Sequence, residues 1–295
     1  MPKSNITLGF IGIGLMGRPI VSRLLDHGYS ARIWNRSPDK LVSLIDKGAK
    51  VDSCAADVAR SADIVMLCLA DDAAVEQVVL ASGGIAEGGK AEALIVDFST
   101  VSPATTRKLA QAVKDRAGME WVDAPVSGGV PGAEEGALAI MCGGEAEQVA
   151  RIRPILDCLA ARVTHMGPVG SGQITKICNQ LIVSTNLVAI AEAIEIGQRA
   201  GIDVVKLPEA IAGGWADSKP LQIFGPRMAT LTDTPKMGAI STMLKDTRSI
   251  LNICEDYCFD AQLAKVTHDI YRAAADTGFA DADLSCLAKF CAKQN

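Results

Sequence analysis

The chain has 295 residues, room for about two domains, and is 49% hydrophobic against 21% charged, which excludes a disordered chain. Aromatic residues make up only 4%, so the core has to be built from Ala, Val, Ile and Leu. A net charge of -5 supplies none of the broad positive field that nucleic-acid or membrane-surface binders need, and neither partner is expected.

The first element is Thr7-Leu8-Gly9-Phe10-Ile11, which runs into Gly12-Ile13-Gly14-Leu15-Met16-Gly17 and then Ile20-Val21-x-x-Leu24-Leu25. β-type residues followed by apolar spacing at i, i+1, i+4 and i+5 predict strand, tight turn and helix. In the dinucleotide-binding reading, Gly12 makes a turn that no side chain fits. Gly14 lets backbone approach a pyrophosphate, Gly17 permits close helix packing, and the phosphates meet N–H groups at the helix start. Pro19 is compatible with a first helical turn. Glycines also build ordinary strand-to-helix turns, so the three alone leave both readings open.

A second strand, Ser30 to Trp34, ends at Asn35-Arg36-Ser37-Pro38. An acidic residue at this point would bond the ribose hydroxyls of NAD. Asn35 removes the carboxylate that would repel a 2′-phosphate, and Arg36 offers that phosphate a charged planar donor, so NADP(H) is expected, with NAD the alternative. Ser37-Pro38 also reads as a plain helix start. Further strands are predicted at 63–69, 93–98, 120–126, 139–142 and 163–165, alternating with helices. The pattern predicts an α/β fold: a doubly wound, mostly parallel Rossmann-type sheet over 1–167. Ser99-Thr100 closes one strand at the edge where open sheets bind ligands. Pro125-Val126-Ser127-Gly128-Gly129-Val130-Pro131-Gly132 reads either as a plain loop or as a nest of N–H groups able to hold a carboxylate.

After Gly170 the strand signals stop, and residues 168–295 are predicted to form an all-helical second domain. It begins with a long helix reaching about Ala200, apolar on nearly every side and expected to be largely buried. Lys176, Asn179 and Gln180 share one face of it. A lysine in such surroundings is either used chemically or snorkels its amine to water. Shorter helices are expected at 204–212, 237–254, 261–275 and 282–292, and Lys245-Asp246 is a second charged pair within one of them.

The nine cysteines include no Cys-x-x-Cys and lie mostly in apolar runs, so they read as small buried hydrophobes in a reducing compartment. The three histidines are scattered, and no metal site is expected. No signal peptide and no apolar run of membrane-spanning length is read from the sequence, so a cytoplasmic protein is expected.

Five motifs in order carry a family resemblance: 9–17 (Gly-Phe-Ile-Gly-Ile-Gly-Leu-Met-Gly), 97–100 (Asp-Phe-Ser-Thr), 123–129 (Asp-Ala-Pro-Val-Ser-Gly-Gly), 170–180 (Gly-Ser-Gly-Gln-Ile-Thr-Lys-Ile-Cys-Asn-Gln) and 245–246 (Lys-Asp). Together they span nearly the whole chain. The sequence resembles the β-hydroxyacid dehydrogenases, the group that includes 3-hydroxyisobutyrate dehydrogenase, tartronate semialdehyde reductase and the glyoxylate/succinic semialdehyde reductases. The resemblance implies hydride transfer between a nicotinamide cofactor and a short semialdehyde acid or 3-hydroxy acid, such as 2-hydroxy-3-oxopropionate. Gln180 stands where the family often has Asn, which leans toward aldehyde reduction. A 3-hydroxyisobutyrate or threonate-type dehydrogenase is the alternative, and a non-catalytic cofactor-binding module is disfavoured by the presence of Lys176.

By the same resemblance Lys176 is the catalytic general acid and base, with burial and Lys245 favouring its deprotonation. Ser127, Gly128 and Gly129 would bind the substrate carboxylate. Asn179 and Gln180 would orient the reacting oxygen, and Lys245 and Asp246 would close over substrate. The cofactor would be held by Gly12 to Gly17 (with Ile13, Gly14, Leu15 and Met16), Asn35, Arg36, Ser37, Leu69, Ala70, Thr100 and Lys245. A homodimer or homotetramer is implied.

Overall fold

A computed structural model describes residues 6–293. The chain divides into two compact units, Met1–Lys176 and Ile177–Asn295. The division falls inside the long helix rather than ahead of it, because the first turns of that helix are bonded to the sheet of the first unit.

In that unit, strands β1 (Thr7–Ile11), β2 (Ser30–Trp34), β3 (Lys50–Val51), β4 (Ile64–Leu67), β5 (Leu94–Asp97), β6 (Glu120–Asp123), β7 (Val126–Ser127), β8 (Leu138–Gly143) and β9 (Ala160–Gly167) build one sheet. Helices α1 (Gly17–Asp26), α2 (Val42–Ile45), α3 (Ala55–Ser61), α4 (Asp72–Leu80), α5 (Ile85–Gly88), α6 (Pro103–Ala117), α7 (Gly129–Glu135) and α8 (Ala146–Leu156) connect the strands. The order β3-β2-β1-β4-β5-β6 is parallel throughout, as expected. β8 joins β6 antiparallel, and pairs with β7 antiparallel and with β9 parallel.

From β1 the chain winds first to β2 and β3 on one side, then to β4 on the other. The carboxyl ends of β1 and β4 therefore flank the crevice at which open α/β sheets bind ligands. Trp34, Ile11, Leu67, Asp97 and Asp123 stand in one row of register across that edge. Every loop predicted to bind something leaves the sheet just beyond this row.

Both faces of the sheet are covered, which is why its central strands are continuously apolar. Leu8, Phe10, Ile64 and Met66 pack with Ile20 and Leu24 of α1 on one face. Ile11, Val65 and Leu67 pack with Val58 of α3 and Leu109 of α6 on the other. Each such fully buried side chain contributes roughly 1.5–3 kcal/mol.

The second unit is helical: α9 (Ser171–Arg199) continues into it, followed by α10 (Leu207–Ala210), α11 (Lys219–Ala229), α12 (Ile240–Asp256), α13 (Gln262–Ala274) and α14 (Leu287–Ala292). Leu187, Ala191 and Ile194 of α9 share a core with Met228, Ile240, Tyr271 and Phe290.

The structure corrects four expectations here. α9 is apolar on most sides but not buried on most sides, since Ile182 is 66% and Ile196 68% exposed. Its most apolar stretch has mean hydropathy 1.5, so by length and composition it does reach membrane-spanning size; in this fold one side of it packs into the core of the second unit. α11 was not expected; Pro220 and Pro226 look like breakers. Ser218 caps it by accepting from the Leu221 N–H, and Pro220 occupies its first turn, where a missing N–H costs nothing. Finally, Cys178 and Cys258 are exposed thiols, not buried hydrophobes.

Candidate functional site

The turn after β1 is set by sterics. Gly12 has φ +98, and a Cβ on it would lie 2.2 Å from the Cys68 carbonyl oxygen at the end of β4. Only glycine allows β1 and β4 to approach this closely at that conformation. A Cβ on Gly17 would sit 2.0 Å from the Gly12 carbonyl oxygen, so the start of α1 folds directly onto the turn. At Gly14, by contrast, a Cβ would meet nothing within 4 Å: the backbone there faces open space. Met16, the α1 N-cap, makes no side-chain cap; Arg18 N–H donates to the Gly14 carbonyl at 3.1 Å and Pro19 has no N–H, so in this first turn the Gly17 N–H is the donor left for an anion. Leu15 is 85% exposed over the same groove.

Beside the turn lies a cavity of about 310 Å³ lined by Gly12, Trp34, Asn35, Arg36, Ser37, Lys40, Leu69 and Ala70, with Gln77 and Gly83 on its far wall. The Asn35 amide braces this end of the site: Oδ1 accepts from the Ile13 N–H at 3.0 Å and Nδ2 donates to the Ser37 carbonyl at 2.9 Å. Two cations, Arg36 and Lys40, line the cavity, and no carboxylate does. Lys40, on the helical turn Pro38–Leu41, was not expected. An open backbone cradle at a helix start and an adjoining cationic cavity fit the pyrophosphate and adenosine of a dinucleotide. Another cavity, about 880 Å³, opens at the amino ends of the strands around Tyr29, Asp63, Glu92 and Arg151, away from this edge.

On the other side of the crevice, β5 and β6 end in two buried aspartates. Asp97 Oδ1 accepts from the Ser99 N–H at 2.9 Å, while Oδ2 is buried without a partner. Burial pushes this carboxyl up to about 7, with the Ser99 bonds opposing and the charge of Asp123 adding to the rise. Asp123 receives the Gly170 N–H on Oδ1 at 2.7 Å and the Gln173 N–H on Oδ2 at 2.9 Å. It is thus a remote carboxylate cap on the first turn of α9. Burial also raises the Asp123 carboxyl, against those N–H bonds. Gly172 permits the docking, since a Cβ there would lie 2.3 Å from the Met141 carbonyl oxygen. Lys176 follows one turn later and is only 9% exposed.

Ser127 ends β7 half-buried, and Gly128 and Gly129 have φ of +131 and +64. The predicted loop is only partly a loop. Gly128 is the N-cap of α7, a short helix with no side-chain cap, and Pro131 fits within its first turn. Gly128 and Gly129 are exposed at this helix start.

In the second unit, Asn179 Nδ2 donates to Gln180 Oε1 at 2.9 Å, and Gln180 Nε2 donates to Asp246 at 2.6 Å. Lys245 Nζ lies 3.8 Å from the same carboxylate. Gln180 is therefore oriented by Asp246 and in turn orients Asn179. Thr100 is half-buried at the carboxyl edge of the first unit. Sequence reasoning quoted Asp97, Asp123 and Gln173 inside motifs but gave them no role. The available signal was a charged residue closing an otherwise apolar strand.

A family model described as the NAD binding domain of 6-phosphogluconate dehydrogenase matches residues 7–167. A second, described as NAD-binding of NADP-dependent 3-hydroxyisobutyrate dehydrogenase, matches residues 170–291. The chain is 33% identical over 282 residues to 2-hydroxy-3-oxopropionate reductase of Escherichia coli (strain K12), covering 95% of both. It is 32% identical over 297 residues to mitochondrial 3-hydroxyisobutyrate dehydrogenase of Bos taurus, covering 97% of this chain and 87% of that one. The structure is similar to that of Mycobacterium tuberculosis 3-hydroxyisobutyrate dehydrogenase with L-serine, at a TM-score of 0.87 and 28% identity over 97% of this chain and 99% of the other.

Proposed function

This chain belongs to the β-hydroxyacid dehydrogenase family, and from that premise we propose that it reduces short semialdehyde acids with NADPH, 2-hydroxy-3-oxopropionate foremost. It is a nicotinamide-dependent oxidoreductase acting on CH–OH donors. The observation that carries the finer reading is Lys176: a nearly buried amine on a helix whose first turn is bonded to the carboxyl edge of a dinucleotide-type sheet. Desolvating a cation there is costly, which favours a chemical use for it.

When bound, the nicotinamide supplies hydride to the carbonyl carbon in reduction and accepts it in oxidation. Lys176 Nζ gives its proton to the oxygen of the aldehyde as that oxygen gains charge, and takes it back in the reverse direction. The amine is then reprotonated from solvent. Asn179 and Gln180, on the turn after Lys176, hydrogen-bond the reacting oxygen, with the amide orientation set by Asp246. Ser127 and the N–H groups of Gly128 and Gly129 hold the substrate carboxylate and so fix which carbon is presented. L-serine, named with the solved relative, is itself a 3-hydroxy acid with a free carboxylate, which supports a substrate of this class. The preference for NADPH is supported by Arg36 and Lys40 in a cavity wall that holds no carboxylate.

The test is NADPH oxidation with tartronate semialdehyde, glyoxylate, succinic semialdehyde and methylmalonate semialdehyde, repeated with NADH. Tartronate semialdehyde with NADPH is expected to give the highest kcat/KM. A higher value with methylmalonate semialdehyde, or with NADH, would replace the substrate or the cofactor in this proposal.

A further inference from the structure

Gln173 is fully buried, and its side chain joins segments that lie more than seventy residues apart in sequence. Nε2 donates to the Ser99 carbonyl at 2.8 Å, and Oε1 accepts from the Val101 N–H at 3.3 Å. The two ends of one amide thus bracket Thr100 from both sides. The Gln173 backbone N–H is held by Asp123, and Ser99 is itself pinned by the Leu69 N–H on its hydroxyl at 2.9 Å. A buried carboxamide with both ends bonded has one orientation, because reversing it would leave a donor facing a donor and an acceptor facing an acceptor. Lys176 lies three residues further on, on the same helical face.

We infer that Gln173 is a positioning residue for the reaction: it locks the Ser99–Val101 loop to the first turn of α9, so that Thr100 and the Lys176 amine keep a fixed spacing. This rests on the reading of Lys176 as the proton carrier. Gln173 touches no reacting atom. A polar side chain whose purpose was only to fill space here would be replaced by methionine with little consequence, since the two have similar length and volume. A positioning residue would not, because catalysis falls steeply with small misplacements of a reacting group.

The experiment compares Gln173→Met, and the milder Gln173→Asn, which keeps a neutral amide but, one methylene shorter, cannot reach Ser99 and Val101 together. Each is made in the wild-type chain and in Lys176→Ala. NADPH affinity, measured by fluorescence titration, reports that the nucleotide site is folded. Gln173→Met is expected to lower kcat by about tenfold or more with aldehyde KM and NADPH Kd within about twofold of wild type. Gln173→Asn should fall between, and it carries the test if the methionine variant does not fold. In the Lys176→Ala background neither substitution should lower kcat further, since residues acting through one group are not additive. Wild-type kcat in both Gln173 variants, or an equal fall in both backgrounds, would overturn the inference. Full turnover in Lys176→Ala alone would instead remove the reading on which it rests.

Discussion

Replacing Asp97 by Asn tests whether the carboxyl edge of this sheet is as dry as its geometry says. Asp97 is fully buried, one oxygen accepts from Ser99, and the other has no partner. Its carboxyl is raised from 3.8 to about 7, chiefly by burial. The folded chain therefore keeps this proton up to about pH 7, while the unfolded chain releases it above about pH 4. Between those limits the folded state binds the extra proton, so its contribution to stability is full at low pH and is lost as pH rises through 7. At 1.36 kcal/mol per unit the whole step is worth about 4 kcal/mol, of which about 3 falls between pH 5 and pH 8. Asparagine keeps the acceptor for Ser99 and cannot ionise. Urea unfolding of both proteins at the two pH values, without cofactor, should show wild type losing about 3 kcal/mol more than Asp97→Asn on going to pH 8. The Asp123 carboxyl, also raised by burial, titrates in both proteins, and its charge adds to the Asp97 step in wild type alone. Equal losses in the two proteins would mean that water reaches Asp97 and that the edge is wet.

Three further outcomes follow from single side chains. Arg36→Ala should lower kcat/KM for NADPH by roughly 10–100-fold, the worth of a charged hydrogen-bond partner, and leave NADH almost untouched; equal losses with both cofactors would remove the 2′-phosphate assignment. His268 is buried, bonded to Thr247 at 2.9 Å, and its pKa is lowered by desolvation and by the neighbouring cations Arg248 and Arg272. It stays neutral in the fold where the unfolded chain would protonate, so stability should fall as pH drops below about 6.5, and His268→Asn should flatten that limb in urea titrations between pH 7 and 5. Leu187→Ala empties part of the second core and should cost about 2–5 kcal/mol of unfolding free energy by calorimetry or denaturant.

The parts of this fold that were legible in the sequence are the ones that local chemistry decides. The glycine turn could be read because each of its glycines answers a steric demand from residues a few positions away or from the strand beside it, and Gly12 against the Cys68 carbonyl is a clear case. The parallel strands could be read because burial on both faces makes them continuously apolar. What escaped depends on distance along the chain. Gln173 and Asp123 stand about fifty residues apart, and no local pattern says that one receives the N–H of the other. α11 escaped because Pro220 and Pro226 mimic a loop, whereas the first of them sits where a helix has no hydrogen bond to lose. α7 escaped for the same reason: Gly128, Gly129 and Pro131 read as turn residues until the helix start that they form is seen. The exposure of Ile182 and Ile196 could not be read from periodicity, because a helix apolar all round does not say which side is covered.

The decisive experiment is turnover of tartronate semialdehyde by Lys176→Ala alongside NADPH affinity. Loss of the proton carrier should cut kcat by about 10²–10⁴-fold, with the Kd for NADPH close to that of wild type. A variant that binds NADPH normally and turns over at the wild-type rate would contradict the assignment of this amine, and with it the chemistry proposed for the chain.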